Sequence, residues 1–430
     1  MRQETTAPVS PTSHTSPSPL ALRVLAIGAF TPVGGDARST AAAVRAGMCG
    51  FREHAYMIDT AGEPMRVAQV AGIDAGLRGT ARLVALLAPA LTEALAGVLA
   101  PARPATGVQD GRIGVAVAGP PARPGGPGGP GGTGDPVAAR RSGVSGVSRG
   151  PGGPGGPGNA GHVADAADGA DVADALRALC RDRLGARLGP FQLFASGHAG
   201  GFEALDQARA WLRAGQVDAV VVAGVDSYLA PETLEWLEAE EQLHGAGPLN
   251  NAWGFIPGEA AGALLLARAG VAAPGGPAGG QGGRLGRGGE GGWADVLAVG
   301  LGRESKLNKS GEVCIGEGLT QALRRALDEV PGEGVIDNVV CDMNGEAYRA
   351  DEYGFCGLRV RDRLRDPTDF LAPADCWGDV GAAGLPLHLL LAASACRKGH
   401  AKGPLTLLWG SSDGGGRGAA VIRADVAVRA

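Results

Sequence analysis

An α/β fold built from two similar halves is what this sequence predicts, and three observations carry the prediction. Short apolar runs of strand length alternate with helical stretches, the pattern of buried, largely parallel sheets covered by helices on both faces. The chain also repeats itself weakly. Ser196-Gly197-His198-Ala199-Gly200-Gly201, a helix and V-D-A-V-V-V-A-G form one unit; Trp377-Gly378-Asp379-Val380-Gly381-Ala382, a helix and P-L-T-L-L-W-G form another. Such a repeat predicts two α/β halves on a pseudo-twofold axis, with the two glycine-turn helices meeting at the centre. Finally, the 75 glycines and 29 prolines among 430 residues are unevenly spread. Residues 119–161 hold 17 Gly and 9 Pro, and residues 270–292 hold 12 Gly and 2 Pro, so the other 364 residues keep a composition that can bury a core.

The elements follow in order. A polar tail over residues 1–18 is expected to be disordered, and the first half then spans 19–268. It opens with a strand at Leu22–Ile27 and a helix near Ser39–Ala46. Met57–Ile73 suggests a hairpin or irregular cover, and Thr80–Leu99 is strongly helical with a kink expected at Pro89. Strand Ile113–Val117 runs into the first Gly/Pro insert, about 119–165. That insert buries too little apolar surface to offset its ordering entropy and is expected to be disordered. Helix resumes over 171–183, followed by strand Phe191–Ala195, helix Ala199–Ala214, strand Ala219–Val225, helix Pro231–Ala239 and strand Gly262–Ala267. A Gly-rich linker, 269–293, leads to the second half, 294–430: strand Val296–Leu301, helix Leu319–Asp328, strand Val335–Asp342, a helical region from Ala347, helix Ala382–Ala395, and strands Leu405–Trp409 and Ala419–Ile422.

Bulk properties exclude several function classes. The net charge is −5 and no basic stripe is interleaved with aromatics, so nucleic acid is not an expected partner. Seven cysteines, an odd number without a C-x-x-C pair, read as reduced cytoplasmic thiols rather than a disulfide framework or a zinc site. The N-terminus lacks an apolar signal-peptide core, and the nearest approach to a membrane span is Gly381–Cys396, broken by Pro386 and His388; no membrane span is expected. The glycine repeats contain no G-K-[ST], so no nucleotide and no other cofactor is expected. Asp342, Glu346, Asp351 and Glu352 form an acidic cluster without a histidine at ligand spacing; it reads as a solvated helix start, and no metal is expected.

Several motifs occur in a telling order. His198-Ala199-Gly200-Gly201 leads through an apolar helix to Arg213-Ala214-Gly215-Gln216-Val217-Asp218, and Gly254-Phe255-Ile256-Pro257-Gly258-Glu259-Ala260-Ala261-Gly262 follows. Asp342-Met343-Asn344-Gly345-Glu346 and Gly381-Ala382-Ala383-Gly384 come later. This series resembles the β-ketoacyl-ACP synthases (3-oxoacyl-ACP synthases) of the thiolase-like superfamily, with their G-F-x-x-G-E-G-A-G, N-A-H-G-T and G-H-x-x-G-A-A-G segments. The resemblance covers most of residues 20–430 outside the inserts. It implies a thiolase-like fold, two βαβαβαββ halves in a five-layer αβαβα sandwich. It implies a homodimer or a heterodimer with an active ketosynthase, and dealings with acyl carrier protein or acyl-CoA.

The resemblance also implies a catalytic set that this sequence does not carry. His198 stands at the position of the nucleophilic Cys, Asn344 at the first His and Gly378 at the second, while Pro373 falls near the family's lysine. The family's chemistry needs a thiolate at a helix N-terminus and groups that polarise a thioester carbonyl. An imidazole at position 198 holds no stable thioester. A neutral His198 at a helix start can still serve as a base, and the repeat places Asp379 opposite it as a candidate partner. Asn344 reads either as an oxyanion donor or as an Asn-Gly turn. Ser196 misses the G-x-S-x-G elbow and reads as a turn serine. Cys314, Cys341, Cys356 and Cys376 read as core thiols, and Glu259 as a structural partner for loop backbone or a residue across the sheet. Three functions therefore stand open: a non-catalytic partner or adaptor subunit, like a chain-length factor or a secretion-associated accessory protein with a protein client; an acyltransferase or acyl-thioester hydrolase working through His198; and a module that binds acyl chains without chemistry.

Overall fold

Val24-Leu25-Ala26-Ile27-Gly28 and Val296-Leu297-Ala298-Val299-Gly300 are nearly the same five residues, and they form the opening strand of each half. The computed structural model describes residues 20–99, 111–126, 172–245, 251–270, 292–308, 310–330 and 334–426. The expected N-terminal tail, most of the first insert and nearly all of the Gly-rich linker lie outside the described residues.

The first half runs β1 (Leu22–Phe30), α1 (Ala37–Arg45), the hairpin β2 (Phe51–Ile58) and β3 (Pro64–Ala68), then α2 (Gly79–Leu99) and β4 (Ile113–Ala118). It continues with α3 (Val172–Leu184), β5 (Leu188–Phe194), α4 (Gly200–Arg213), β6 (Ala219–Ser227), α5 (Pro231–Ala239) and β7 (Glu259–Arg268). The second half runs β8 (Ala294–Arg303), α6 (Glu317–Asp328), β9 (Asn338–Cys341), α7 (Ala347–Arg359), α8 (Ala374–Trp377), α9 (Gly384–Arg397), β10 (Leu405–Ser411) and β11 (Gly416–Arg423). The first half matches the expected βαβαβαββ order around its hairpin and α5. The second departs from it: where a third strand was expected, a single parallel bridge joins Leu371 to Val340.

One sheet, in the order β5-β4-β6-β7-β1-β8-β11-β10-β9, carries both halves. Only β4–β5, β4–β6 and β9–β10 pair in parallel; the other five pairings are antiparallel. The expectation of largely parallel sheets is corrected here. In each half one reversed strand, β7 or β11, is inserted between strands that run together, turning two ladders antiparallel at once. The halves join where β1 meets β8, with Leu22 opposite Val296 and Arg23 opposite Asp295; Arg23 Nη2 donates to Asp295 Oδ2 across the joint at 2.8 Å.

Three buried clusters define the layers. Helices α2 and α3 cover one face of the first half's strands, and α6 and α7 cover the far face of the second half's. Between the two halves' inner faces lie α4 and α9, whose Phe202, Leu205, Leu387 and Leu390 form the central cluster. The result is a five-layer αβαβα arrangement. Gly28 and Gly300 permit its close packing, because a Cβ at either would overlap a helix carbonyl, that of Ala90 or Ala322. Helix α2 continues through Pro89 and is long and apolar enough to cross a bilayer. Its stripe of Leu83, Leu87, Ala90, Leu91 and Ala94 is instead core, packed on β1 and β7.

Candidate functional site

Both central helices start from the same turn. Gly197-His198-Ala199 precedes α4 and Gly381-Ala382-Ala383 precedes α9, with Gly197 at φ 64° and Gly381 at φ 48°. This geometry shifts the register expected from the repeat by three residues, so that His198 is equivalent to Ala382 rather than to Asp379. The cause is visible in the sequence: Gly378, Gly381 and Gly384 recur every three residues, so a G-x-x-G turn fits two registers, and only packing selects one.

The shift nonetheless leaves Asp379 facing His198. His198 Nε2 lies 2.8 Å from Asp379 Oδ1 and 3.1 Å from Oδ2, and both side chains are buried. Asp379 also accepts from Gly381 N at 2.8 Å and from Asn344 Nδ2 at 2.6 Å. Asn344 Nδ2 reaches Glu346 Oε2 as well, at 3.0 Å, and Asn344 Oδ1 accepts from Glu346 N. Burial opposes charge on His198, but the Asp379 carboxylate outweighs it and raises the imidazole's pKa. Burial likewise opposes ionisation of Asp379, and the His198 charge and hydrogen bond more than reverse it, holding the carboxyl far below its usual range. With Asp379 ionised, Nε2 carries the proton held between the two side chains, and the pair favours the charged imidazole more than a free histidine does.

Of the residues singled out from sequence, His198, Asp379 and Asn344 are brought into one chain of hydrogen bonds. Gly378 is not a chemical participant: it sits at φ 73°, packed against Ile256 O, and its amide donates to Ala374 O at 2.9 Å. Ser196 Oγ donates to Glu203 Oε2 at 2.6 Å. Burial raises the thiols of Cys314, Cys341 and Cys376, and takes Cys356 to about 12, so none of the four is poised as a thiolate. Glu259 holds Arg82 Nη2 at 2.7 Å and accepts from Val70 N at 3.0 Å.

The acidic cluster is corrected. Asp342, Glu346 and Glu352 are buried rather than solvated, and only Asp351 is exposed. Two arginines whose burial the local sequence did not reveal explain it: Arg349 binds Asp342 at 2.9 Å and Glu346 at 3.2 Å, and Arg417 binds Glu352 at 2.6 Å.

Two residues at the centre went unrecognised in the sequence. His388 on α9 is buried beside His198; burial first and the His198 charge second push its pKa down to about 3, so it stays neutral. Its position one turn into an apolar helix was the available signal. Arg123 lies inside the stretch expected to be disordered, yet residues 119–126 are placed, and the Arg123 guanidinium is buried against Asp226, Ser227 O and the Tyr228 ring, 4.0 Å from its centroid. A single arginine amid Gly-Pro repeats carries no periodic signal.

The centre encloses little space. His198, Asn344, Asp379 and His388 line a cavity of about 10 Å³, the room of one water. One amide of each turn is bonded to a side chain: Ala199 N donates to Ser412 Oγ at 2.8 Å and Ala382 N to Asp226 Oδ2 at 3.0 Å.

With this geometry in view, comparison with known proteins shows what the chain is similar to. Residues 180–272 match the model of the beta-ketoacyl synthase N-terminal domain. A chain of the complex AntDE:AntF, a type II PKS acyl-carrier protein with its ketosynthase bound to the hexaketide, superposes with a TM-score of 0.69 at 14% identity, over 95% of this chain and 100% of that one. The ishigamide ketosynthase/chain length factor gives 0.56 at 20% identity, over 94% and 99%. The chain has the thiolase-like fold of the ketosynthases. The ketosynthase from module 6 of the bacillaene synthase of Bacillus subtilis 168 aligns over 94% of this chain and 72% of its own, at TM-score 0.63 and 13% identity. No curated protein matches the chain. At these identities the likeness establishes the fold. What this ketosynthase-like protein does at its centre rests on its own residues.

Proposed function

We propose that this ketosynthase-like protein is a non-catalytic subunit, a pseudoenzyme that works as the partner or adaptor of an active ketosynthase. The observation that carries the proposal is the buried His198–Asp379 hydrogen bond beside a cavity of about 10 Å³. An acyl chain needs far more room than one water. Nε2 of His198 offers no lone pair, because its proton is directed at the Asp379 carboxylate. The same small cavity weighs against a module that binds acyl chains at this centre. Structural neighbours that include a ketosynthase with its acyl-carrier protein and a ketosynthase/chain length factor support a heterodimeric partner and contact with carrier proteins. The reducing cytoplasm is the proposed compartment.

A second reading has one specific observation in its favour. The chain from His198 through Asp379 to Asn344 is an imidazole oriented by a carboxylate, the arrangement of a general base, and it would serve an acyltransferase or acyl-thioester hydrolase if the centre opened. Incubating the protein with malonyl and acyl thioesters, and following adducts and thiol release by intact mass, separates the two. No turnover above buffer, in wild type and in His198→Ala alike, is the expected result. Turnover lost in His198→Ala would overturn the non-catalytic reading.

A further inference from the structure

Cys49 and Cys376 are far apart in sequence and adjacent in the fold. Cys49 follows α1, where Gly47 N donates to Val44 O and Met48 N to Ala43 O, each at 3.0 Å, so its loop is fixed to the helix end. Cys376 belongs to α8, whose turn is held by hydrogen bonds from Cys376 N to Pro373 O and from Gly378 N to Ala374 O, each at 2.9 Å. One hydrogen bond joins the two segments: Gly50 N donates to Cys376 O at 2.7 Å. Cys49 Cα lies on the N–H side of that trans peptide, which keeps the two cysteine Cα atoms within about 7 Å of each other. Disulfides join Cα atoms roughly 4.4–6.8 Å apart. The Cys49 side chain is also aimed at its neighbour, since Sγ donates at 3.4 Å to Asp375 O, the carbonyl of the peptide that enters Cys376. Both thiols are free.

Their exposures differ, and the difference sets an order of events. Among the described residues, which include all seven cysteines, Cys49 alone is exposed, whereas Cys376 is only 8% exposed. A small disulfide arriving from solvent therefore meets Cys49 first. Burial first, and the Cys49 charge second, raise the Cys376 thiol, which suits it to the later, intramolecular step. We infer that Cys49 and Cys376 are an oxidisable pair, closed into a disulfide by a low-molecular-weight disulfide such as oxidised glutathione. Cys49 gives its proton to water and its thiolate attacks one sulfur of the small disulfide, whose S–S bond breaks and releases one thiolate. Cys376 then loses its proton and attacks Cys49 Sγ, releasing the second thiolate, and the two released thiolates take up the two protons. Two protein thiols are oxidised and one small disulfide is reduced to two thiols. In a reducing compartment the pair rests as thiols and closes only when small disulfides accumulate. The bond ties the loop after α1 to the short helix that ends just before Gly378 and Asp379. It uses no group of the His198 centre, so it holds whether or not that centre is catalytic.

The test exposes the reduced full chain to oxidised glutathione, traps the remaining thiols with N-ethylmaleimide, and reads intact mass and peptide maps. Wild type is expected to lose two alkylatable thiols and to yield one cross-link, Cys49 to Cys376, that dithiothreitol reverses. Cys376→Ser is expected to stop at the mixed disulfide on Cys49, at a level at least about tenfold above wild type. Cys49→Ser is expected to keep its Cys376 thiol unmodified. Thermal melts check that the variants fold, with Cys376→Ala as a second replacement at the buried site. A mixed disulfide that persists on Cys49 equally in wild type and in Cys376→Ser overturns the inference. So does a bond between two copies of Cys49, a bond to any other cysteine, or no loss of thiols at all.

Discussion

Gly197–Ala199 and Gly381–Ala383 are one turn used twice. Each enters through a left-handed glycine, each starts a helix of 14 residues, and each has one amide capped by a side chain from the end of the opposite half's strand pair. They differ in what the cap requires. Ser412 caps Ala199 with a neutral hydroxyl, which in turn donates a hydrogen bond to Ser196 O at 2.5 Å. Asp226 caps Ala382 with a buried carboxylate, which needs a buried cation, and Arg123 supplies it from the start of the Gly/Pro-rich stretch. The charged turn therefore depends on a distant segment, whereas the neutral one is complete within the two halves.

That difference is broken most sharply at Arg123. Arg123→Met leaves Asp226 buried without a counter-ion, and urea denaturation is expected to show a loss of about 3–5 kcal/mol. Combining it with Asp226→Asn is expected to recover much of the loss; an Arg123→Met protein as stable as wild type would show that the pair carries no such dependence.

A smaller effect is expected from pH, and its sign follows from three groups. Asp379, depressed in the folded chain, stabilises above the ordinary Asp range near 4, and that contribution is lost as pH falls. His198, raised in the folded chain, contributes fully below about 6.5 and loses its contribution as pH climbs through its raised value. His388 acts oppositely: it stays neutral down to about 3 while the unfolded chain takes a proton near 6.5, so stability declines as pH falls across that window. For these groups stability peaks near pH 6.5, with each limb falling by at most about 1.4 kcal/mol per pH unit per group. Denaturation midpoints measured against pH are expected to lose the alkaline fall in His198→Ala and part of the acid fall in His388→Leu. Unchanged limbs would remove these residues from the account.

The smallest effect belongs to the neutral cap. Ser412→Ala is expected to cost about 1 kcal/mol in the same denaturation assay, well below the loss at Arg123. Comparable losses at the two sites would erase the contrast between the turns.

How much was legible in advance follows from the range over which each signal acts. The strands at Ala219–Ser227 and Leu405–Ser411 and the helix at Pro231–Ala239 were readable because apolar runs and a proline at a helix start are local. The missing third strand of the second half was not, since Leu371 touches Val340 through a single bridge that no run of residues encodes. At the centre, His198 and Asn344 were legible as departures from a known motif, while His388 and Arg123 matter only through what surrounds them.

By itself the sequence determined the two-half α/β architecture, the glycine turns at its centre and the absence of a cysteine where the motif expects one. The tertiary structure decided the rest: which of three evenly spaced glycines turns the second helix, that the acidic cluster is buried on Arg349 and Arg417, and that His198 meets Asp379. Period and spacing are properties of neighbouring residues and survive in a string of letters. The charge state of a buried group depends on partners hundreds of residues away, and only folding brings them within hydrogen-bond distance.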